Sequence, residues 1–233
     1  MFKLSIIIPA YNEKNTIQEL IKKVKGVNLP DVEKEIIVVD DGSKDGTRDI
    51  LKTIPDIRYF FHEKNLGKGG AVKTGIKNAT GDILIIQDAD LEYDPNDYQI
   101  MINPILDGKT EVVIGVRIMP EKDQRRRKSL YWLSWFGNHV ITWTTNILYL
   151  VNIGEYEACY KVYTKKAVDS LNIETNNFDI DNEMICKLIR KGYKIIDVPV
   201  YYYPRSYSEG KKINWKHGFK ILWTIVKWRF KSI

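Results

Sequence analysis

The sequence predicts an α/β domain built on a largely parallel sheet with helices on both faces. Three observations predict it. Short Ile- and Val-rich runs alternate with stretches whose apolar residues recur at helical spacing, the pattern of parallel strands joined by crossover helices. Three of the runs, ending near Pro9, Val39 and Ile86, open directly into acidic or turn-forming loops, and such strand ends are where sheets of this kind bind ligands. No run reaches the roughly 18 apolar residues that a membrane span requires. The 233 residues suffice for one substantial core.

The elements follow in order. Leu4 to Ile8 reads as a buried first strand. After the loop Ala10 to Glu13, Thr16-Ile17-Gln18-Glu19 has the capping-box pattern, and Ile17, Leu20, Ile21 and Val24 form a helical stripe. Glu35 to Val39 is the second strand, and Asp45 is placed to cap a helix from Thr47. Ile57 to Phe61 is the third strand, and the glycine-rich turn Asn65 to Gly70 enters a helix through Ala71, Val72 and Ile76. Ile83 to Ile86 is the central strand. Pro95 suits the start of a helix running to Leu106, and Glu111 to Val116 is the fifth strand. Phe178 to Glu183 opens a helix whose acidic first turn the helix dipole favours, and Lys194 to Tyr203 is a further strand. At the C-terminal end Trp215, Phe219, Leu222, Val226 and Phe230 recur at helical spacing, with Lys216, Lys220, Lys227 and Lys231 on another stripe.

The chemistry concentrates at Asp88-Ala89-Asp90, which follows the central strand. Residues two apart in an extended chain face the same side, so both carboxylates can share one small volume. Unpaired they repel; a divalent cation removes that cost, and oxygen ligands suit Mg²⁺ or Mn²⁺. The acidic loops suit ribose hydroxyls and base N–H groups, and Lys68 in its glycine turn suits a phosphate. A net charge of +6 and a pI of about 9.0 favour acidic partners. No G-x-G-x-x-G follows the first strand and no G-x-x-x-x-G-K-S/T occurs, which disfavours a dinucleotide dehydrogenase and a P-loop NTPase. Cys159 and Cys186 lack metal-type spacing and fit as reduced core residues of an intracellular protein. Phe2 to Pro9 is short and contains Lys3, so it reads as a strand rather than a signal peptide.

Four motifs carry a resemblance: Ser5 to Glu13 (SIIIPAYNE), Val38 to Ser43 (VVDDGS), Asn65 to Ala71 (NLGKGGA) and Asp88 to Asp90. In order and spacing they resemble family 2 glycosyltransferases of the GT-A fold, and within them the dolichol-phosphate mannose synthase and polyprenyl-phosphate glycosyltransferase group. The resemblance implies one GT-A domain over 1–233: a nucleotide-sugar half (1–117), an acceptor half (118–204) and a basic amphipathic tail (205–233). It implies that Pro9, Tyr11, Glu13 and Asp40 line the base and ribose of a nucleotide-sugar, with Asp41 close by, and that Lys68 helps hold the nucleotide. Asp88, Ala89 and Asp90 would flank the sugar and the metal-bridged diphosphate. Glu92 stands where the group often has Gln as a metal ligand, completing Asp88, Asp90 and Glu92 as the metal set. Arg117 would meet phosphate, and Arg205 with the turn Glu209 to Lys212 resembles a loop closing over the diphosphate.

The acceptor half departs more from the family. Gln124 to Lys128 is a basic run, followed by the aromatic stretch Tyr131 to Phe136; basic-then-aromatic order fits a membrane interface. Ser134 and Asn138 match the family's Ser and Asn, but Leu130 stands where an Arg is expected, so Arg125, Arg126 or Arg127 takes the acceptor phosphate in its place. Glu155 to Lys161 resembles D-x-x-x-G-[FY]-[KR], with Glu155 for Asp and Cys159 for Gly. Glu183 matches a family acid.

The expected activity is inverting transfer of a sugar from a nucleoside-diphosphate sugar of the GDP-mannose or UDP-glucose type, with Mg²⁺ or Mn²⁺, to a polyprenyl phosphate. The expected setting is cytoplasmic and peripheral to a membrane, and Asp90, Arg117, Glu155 and Glu183 are the catalytic candidates. A sugar-hydroxyl acceptor is the runner-up and would need Glu155 or Glu183 as base. A non-catalytic nucleotide-sugar-binding or scaffold protein and a nucleic-acid-binding protein are the rivals from other classes; no nucleic acid is expected, because the basic residues are interleaved with apolar ones and match no recognisable motif.

Overall fold

The computed structural model describes residues 1–118, 132–204 and 216–233. Its centre is β1 (Phe2–Ala10), whose residues from Leu4 to Ile8 are all buried. An unbroken apolar run of this kind is expected where both faces of a strand are covered. Beside it lie β2 (Val32–Asp40) and β4 (Ile83–Ile86), and β3 (Arg58–Phe61) pairs with β2. With β5 (Val112–Ile118), β6 (Lys161–Thr164) and β7 (Ile195–Tyr201), the sheet order is β3-β2-β1-β4-β6-β5-β7. β6 runs antiparallel to both its neighbours, and the other strands run one way.

The helices are α1 (Ile17–Gly26), α2 (Thr47–Thr53), α3 (Lys68–Asn78), α4 (Tyr98–Leu106), α5 (Trp132–Tyr149), α6 (Lys165–Asp169), α7 (Ile180–Arg190) and α8 (Lys216–Phe230). They cover both faces because β1 alternates. Ile6 and Ile8 pack with Leu20 and Val24 of α1 and Met101 of α4, while Ile7 packs on the opposite face with Ile37, Val39 and Ala71 of α3. A further cluster joins Ile86, Val112 and Ile114 to Ile141 of α5, Met184 of α7, and Ile225 and Trp228 of α8.

Most predicted elements form, with shifted ends. The first strand extends to Ala10, the fifth to Ile118, and the stretch from Pro95 begins as a 3₁₀ turn capped by Asp94 before α4. The Thr16 capping box does not form: the Thr16 hydroxyl donates to Glu13, 2.8 Å from its Oε2, rather than accepting from the helix. In α8 the core face is Ile221, Thr224, Ile225 and Trp228, whereas Phe219 and Phe230 of the predicted stripe lie outside.

Candidate active site

The loops after β1, β2 and β4 meet along one edge. Parallel pairing sets Ala10 beside Asp40, and the crossing is stitched by backbone: Asp41 N donates to Ala10 O at 2.8 Å, Asn12 N to Ser43 Oγ at 2.8 Å, and Glu13 N to Thr47 Oγ1 at 3.0 Å. The structure thus brings Pro9, Tyr11, Glu13, Asp40 and Asp41 together. Tyr11 stands exposed at the rim, while Glu13 is buried.

Asp40 and Asp41 are adjacent but do different work. Asp40 is fully buried; its Oδ1 accepts from Arg48 Nε at 2.6 Å and Ser43 N at 3.0 Å, while its Oδ2 is buried without a partner. A buried acceptor left unmade costs about 1–3 kcal/mol, and a base N–H is a group that would satisfy it. Asp41 has no such vacancy. It accepts from Leu66 N and Gly67 N, each at 2.8 Å, and lies 2.7 Å from His62 Nδ1. These bonds shape the glycine turn beside the strand end. Gly67 has φ +89°, a conformation L side chains rarely adopt.

At the D-x-D, in the turn just past β4, Ala89 is buried and the flanking acids are partly exposed. Asp88 Oδ1 lies 2.8 Å from Lys68 Nζ, which is also 3.4 Å from Asp181 Oδ2. Burial alone would lower the Lys68 ammonium, but Asp88, Cys159 and Asp181 together hold it well above its usual range. Burial would raise Asp88, yet Lys68 keeps it lowered. Asp90 Oδ1 accepts from Glu92 N at 3.1 Å, and Glu92 Oε2 accepts from Tyr202 OH at 3.0 Å. Beneath them Gln87 Oε1 accepts from Tyr98 OH at 2.8 Å and Tyr160 OH at 2.6 Å, while its Nε2 donates to Asp88 O at 2.9 Å. That buried amide fixes the strand end that carries the acids.

Among the described residues, no three His, Cys, Asp or Glu side chains form a ready metal cage. Asp88 and Asp90 are nevertheless hard oxygen donors at one strand end, a set that fits Mg²⁺ or Mn²⁺ when a ligand supplies the remaining oxygens. Glu92 is engaged by Tyr202 and does not complete a protein-only trio with them.

The candidate acids of the second half, Glu155 and Glu183, are each held by a different cation. Glu155 is clamped by Arg117: Arg117 N donates to its Oε2 at 2.8 Å and Arg117 Nε to its Oε1 at 2.6 Å, with Nη2 on the same oxygen. The Arg117 guanidinium also lies 4.9 Å from the centre of the Tyr202 ring. Glu183 is wholly buried in α7, pairs with Lys187, and accepts from Glu174 N at 2.7 Å and Thr175 N at 2.8 Å. Both its oxygens are thus committed, and through them Glu183 holds the loop before α7.

Sequence reasoning missed Asp181, which supplies the second partner of Lys68 and has a buried Oδ1 without a partner. It also missed Glu157, which burial raises and which accepts from Asn182 Nδ2 at 2.7 Å. Asp179, Asp181 and Glu183 take three different cations, Lys220, Lys68 and Lys187, from distant and neighbouring elements, and spacing alone does not assign them.

Arg125, Arg126, Arg127 and Arg205 lie outside the described residues, as does the side chain of Ser134. The described parts of α5 and α8 carry exposed apolar side chains. Phe136, Trp143, Ile147 and Leu150 on and just after α5, and Phe219, Trp223 and Phe230 on α8, are all more than half exposed, and the two helices pack together. No described helix is long and apolar enough to cross a membrane. The loop 174–179 sits behind this face. Asn176 O accepts from Gly70 N at 3.2 Å, Glu174 lies 2.7 Å from Lys231 Nζ, and Asp179 takes Lys220 at 3.1 Å and Thr224 at 3.0 Å.

Comparison with known proteins agrees with this geometry. Over 229 residues the chain is 28% identical to an uncharacterised protein of Methanocaldococcus jannaschii, covering 96% of this chain and 91% of that one. It is 28% identical over 242 residues to UDP-N-acetylglucosamine–dolichyl-phosphate N-acetylglucosaminyltransferase of Methanococcus voltae, covering 95% of this chain and 94% of that protein. To dolichyl-phosphate beta-glucosyltransferase of Trichomonas vaginalis it is 26% identical over 215 residues, 84% of this chain and 64% of that one. Glucosyl-3-phosphoglycerate synthase of Mycobacterium tuberculosis, solved with Mn²⁺, UDP and phosphoglyceric acid, shares the fold with a TM-score of 0.73 at 17% identity, over 100% of this chain and 80% of that one. Residues 5–171 match glycosyl transferase family 2. The chain therefore belongs to that family and is a glycosyltransferase of the GT-A type.

Proposed function

We propose that the protein moves a hexosyl group from a UDP-sugar, with Mg²⁺ or Mn²⁺, to a polyprenyl phosphate at a membrane surface, with inversion at the anomeric carbon. One observation carries the acceptor: two packed helices, α5 and α8, present exposed aromatic and aliphatic side chains, and the basic run Arg125 to Lys128 precedes α5 in the sequence. Apolar groups beside cations suit an anionic lipid interface. The relatives named for dolichyl phosphate support the same choice, and the M. voltae relative is named for a UDP-sugar.

In this reading Asp40 Oδ2 accepts the uracil N3–H, the group its vacancy fits. Tyr11 closes the rim over the base, and Glu13 and Pro9 border the ribose. Asp88 and Asp90 would hold the metal, which as a Lewis acid neutralises charge on the departing diphosphate. Lys68 and Arg117 face the same anion, Arg117 kept in place by Glu155. A phosphate acceptor is already an anion at pH 7, so it needs placement by cations more than removal of a proton. Arg125, Arg126, Arg127, Ser134 and Arg205 are proposed for that placement and for closure over the diphosphate.

A sugar-hydroxyl acceptor would need a base. Glu155 is held by Arg117 and Glu183 by Lys187; Glu157, raised by burial, is the carboxyl that favours this second reading. The test is transfer from radiolabelled UDP-glucose and UDP-N-acetylglucosamine with Mn²⁺, to dolichyl phosphate in vesicles or to soluble sugars. Label entering the lipid phase, and lost with EDTA, is expected. Label appearing on soluble sugars instead, with none in lipid, overturns the lipid acceptor.

A further inference from the structure

Lys68 occupies a place that two chemistries need. Its ammonium lies 2.8 Å from Asp88 Oδ1, 3.4 Å from Asp181 Oδ2 and 3.9 Å from Cys159 Sγ, and its side chain is only 13% exposed. It reaches this point from the start of α3 and ties the glycine turn to the end of β4 and to α7. One of the D-x-D carboxylates is therefore already neutralised from within the protein, and no ready metal cage exists among the described residues.

We propose that Lys68 is a resident counter-ion that keeps the divalent metal off Asp88 until the nucleoside diphosphate arrives, so that metal and diphosphate are taken up together. This rests on the donor reading above. An ammonium and a divalent cation on one carboxylate stand within a few ångströms of each other, and in a poorly solvated site that repulsion is only weakly screened. The diphosphate changes the balance twice: its oxygens give Lys68 another anion, and they complete the oxygen shell that Asp88 and Asp90 only begin. Asp181 is the positioning residue. It gives Lys68 a second anchor, so the ammonium is held toward the strand end.

Whether the ammonium competes with the metal is read from Mn²⁺ affinity without and with nucleotide, and from its change when the cation is removed. The full chain is titrated with Mn²⁺ alone, and with saturating UDP or GDP, following free Mn²⁺ by electron paramagnetic resonance at pH 8. Wild type is expected to bind Mn²⁺ at least ten-fold more tightly with its nucleotide than without it. Lys68→Met, with two carboxylates now lacking their cation, is expected to bind Mn²⁺ alone at least ten-fold more tightly than wild type; Lys68→Arg is expected to match wild type. A folded Lys68→Met protein that gains no Mn²⁺ affinity overturns the proposal. Should that variant fail to fold, the wild-type titration still decides, because equal Mn²⁺ affinity with and without nucleotide also overturns it. Calorimetry of nucleotide with Mn²⁺ keeps the two readings apart: absent binding of both UDP and GDP removes the donor reading itself, whereas tight nucleotide binding with unchanged Mn²⁺ affinity removes only the counter-ion.

Discussion

The strand-end edge and the face of α5 and α8 invert the usual arrangement in opposite ways. Along the edge, acids are buried: Asp40, Asp41, Asp181 and Glu13 are all at least nine-tenths covered. On the helical face, aromatic rings are uncovered, with Trp143 69% and Trp223 67% exposed. Buried carboxylates persist only when paired or hydrogen-bonded, so the edge is tied down by Arg48, Lys68, His62 and backbone N–H groups before any ligand binds. The exposed rings leave apolar surface uncovered, and patches of this kind mark an interaction surface. One region holds polar groups that are already partnered, the other leaves apolar groups uncovered.

The largest expected effect lies on the edge. Asp90→Ala should cut transfer by roughly 10²–10³-fold, the scale of losing one preorganised electrostatic group, with circular dichroism unchanged; full turnover in that variant, or in EDTA, would remove the metal site. Glu183→Gln tests whether this acid is structural or catalytic. Leaving Lys187 buried without its anion should cost about 3–5 kcal/mol of stability, read by denaturant unfolding, and a loss of turnover at full stability would mark Glu183 as a catalytic group. Smaller is Asp40→Ala, which should weaken nucleotide binding by about 1–3 kcal/mol; unchanged calorimetric affinity would leave Asp40 as a turn residue held by Arg48. The smallest single effect belongs to the helical face. Trp223→Ala should weaken binding to anionic vesicles by less than the roughly 1.5–3 kcal/mol of a fully buried apolar side chain, without touching nucleotide affinity, and Phe219→Ala should add to it. Vesicle binding equal to wild type in the double variant would break the contrast between the two regions.

The edge was largely legible in the sequence because apolar runs mark where the strands end. β4 ends at Ile86 and the D-x-D follows in a turn, so both acids sit just past the strand end, where three parallel strands bring their loops together. What such runs do not carry is which partner a side chain takes. Asp40 and Asp41 look equivalent in the sequence, yet one keeps a vacant oxygen and the other spends both on the glycine turn. β6 went unseen because it has four residues and begins with Lys161, whose buried ammonium is satisfied by Ala158 O. In α8 the apolar residues run round most of the helix, so spacing alone did not say which would meet the core; Trp228 did, and Trp223 did not.

The loop 174–179 makes the two regions less independent than their chemistry suggests. A side chain at Gly67 would meet Asn176 O at 2.3 Å, and one at Gly69 would meet Asn176 C at 2.6 Å. The same loop is fastened at its other margin to Lys220, Thr224 and Lys231 of the C-terminal segment. It behaves as a strut with no slack, shared by the turn that carries Lys68 and the helix that carries Trp223. Enlarging either glycine pushes the strut toward α8, and removing α8 takes away the strut's footing. Grafting this helical face onto another donor domain therefore means carrying the strut and its two glycines along with it.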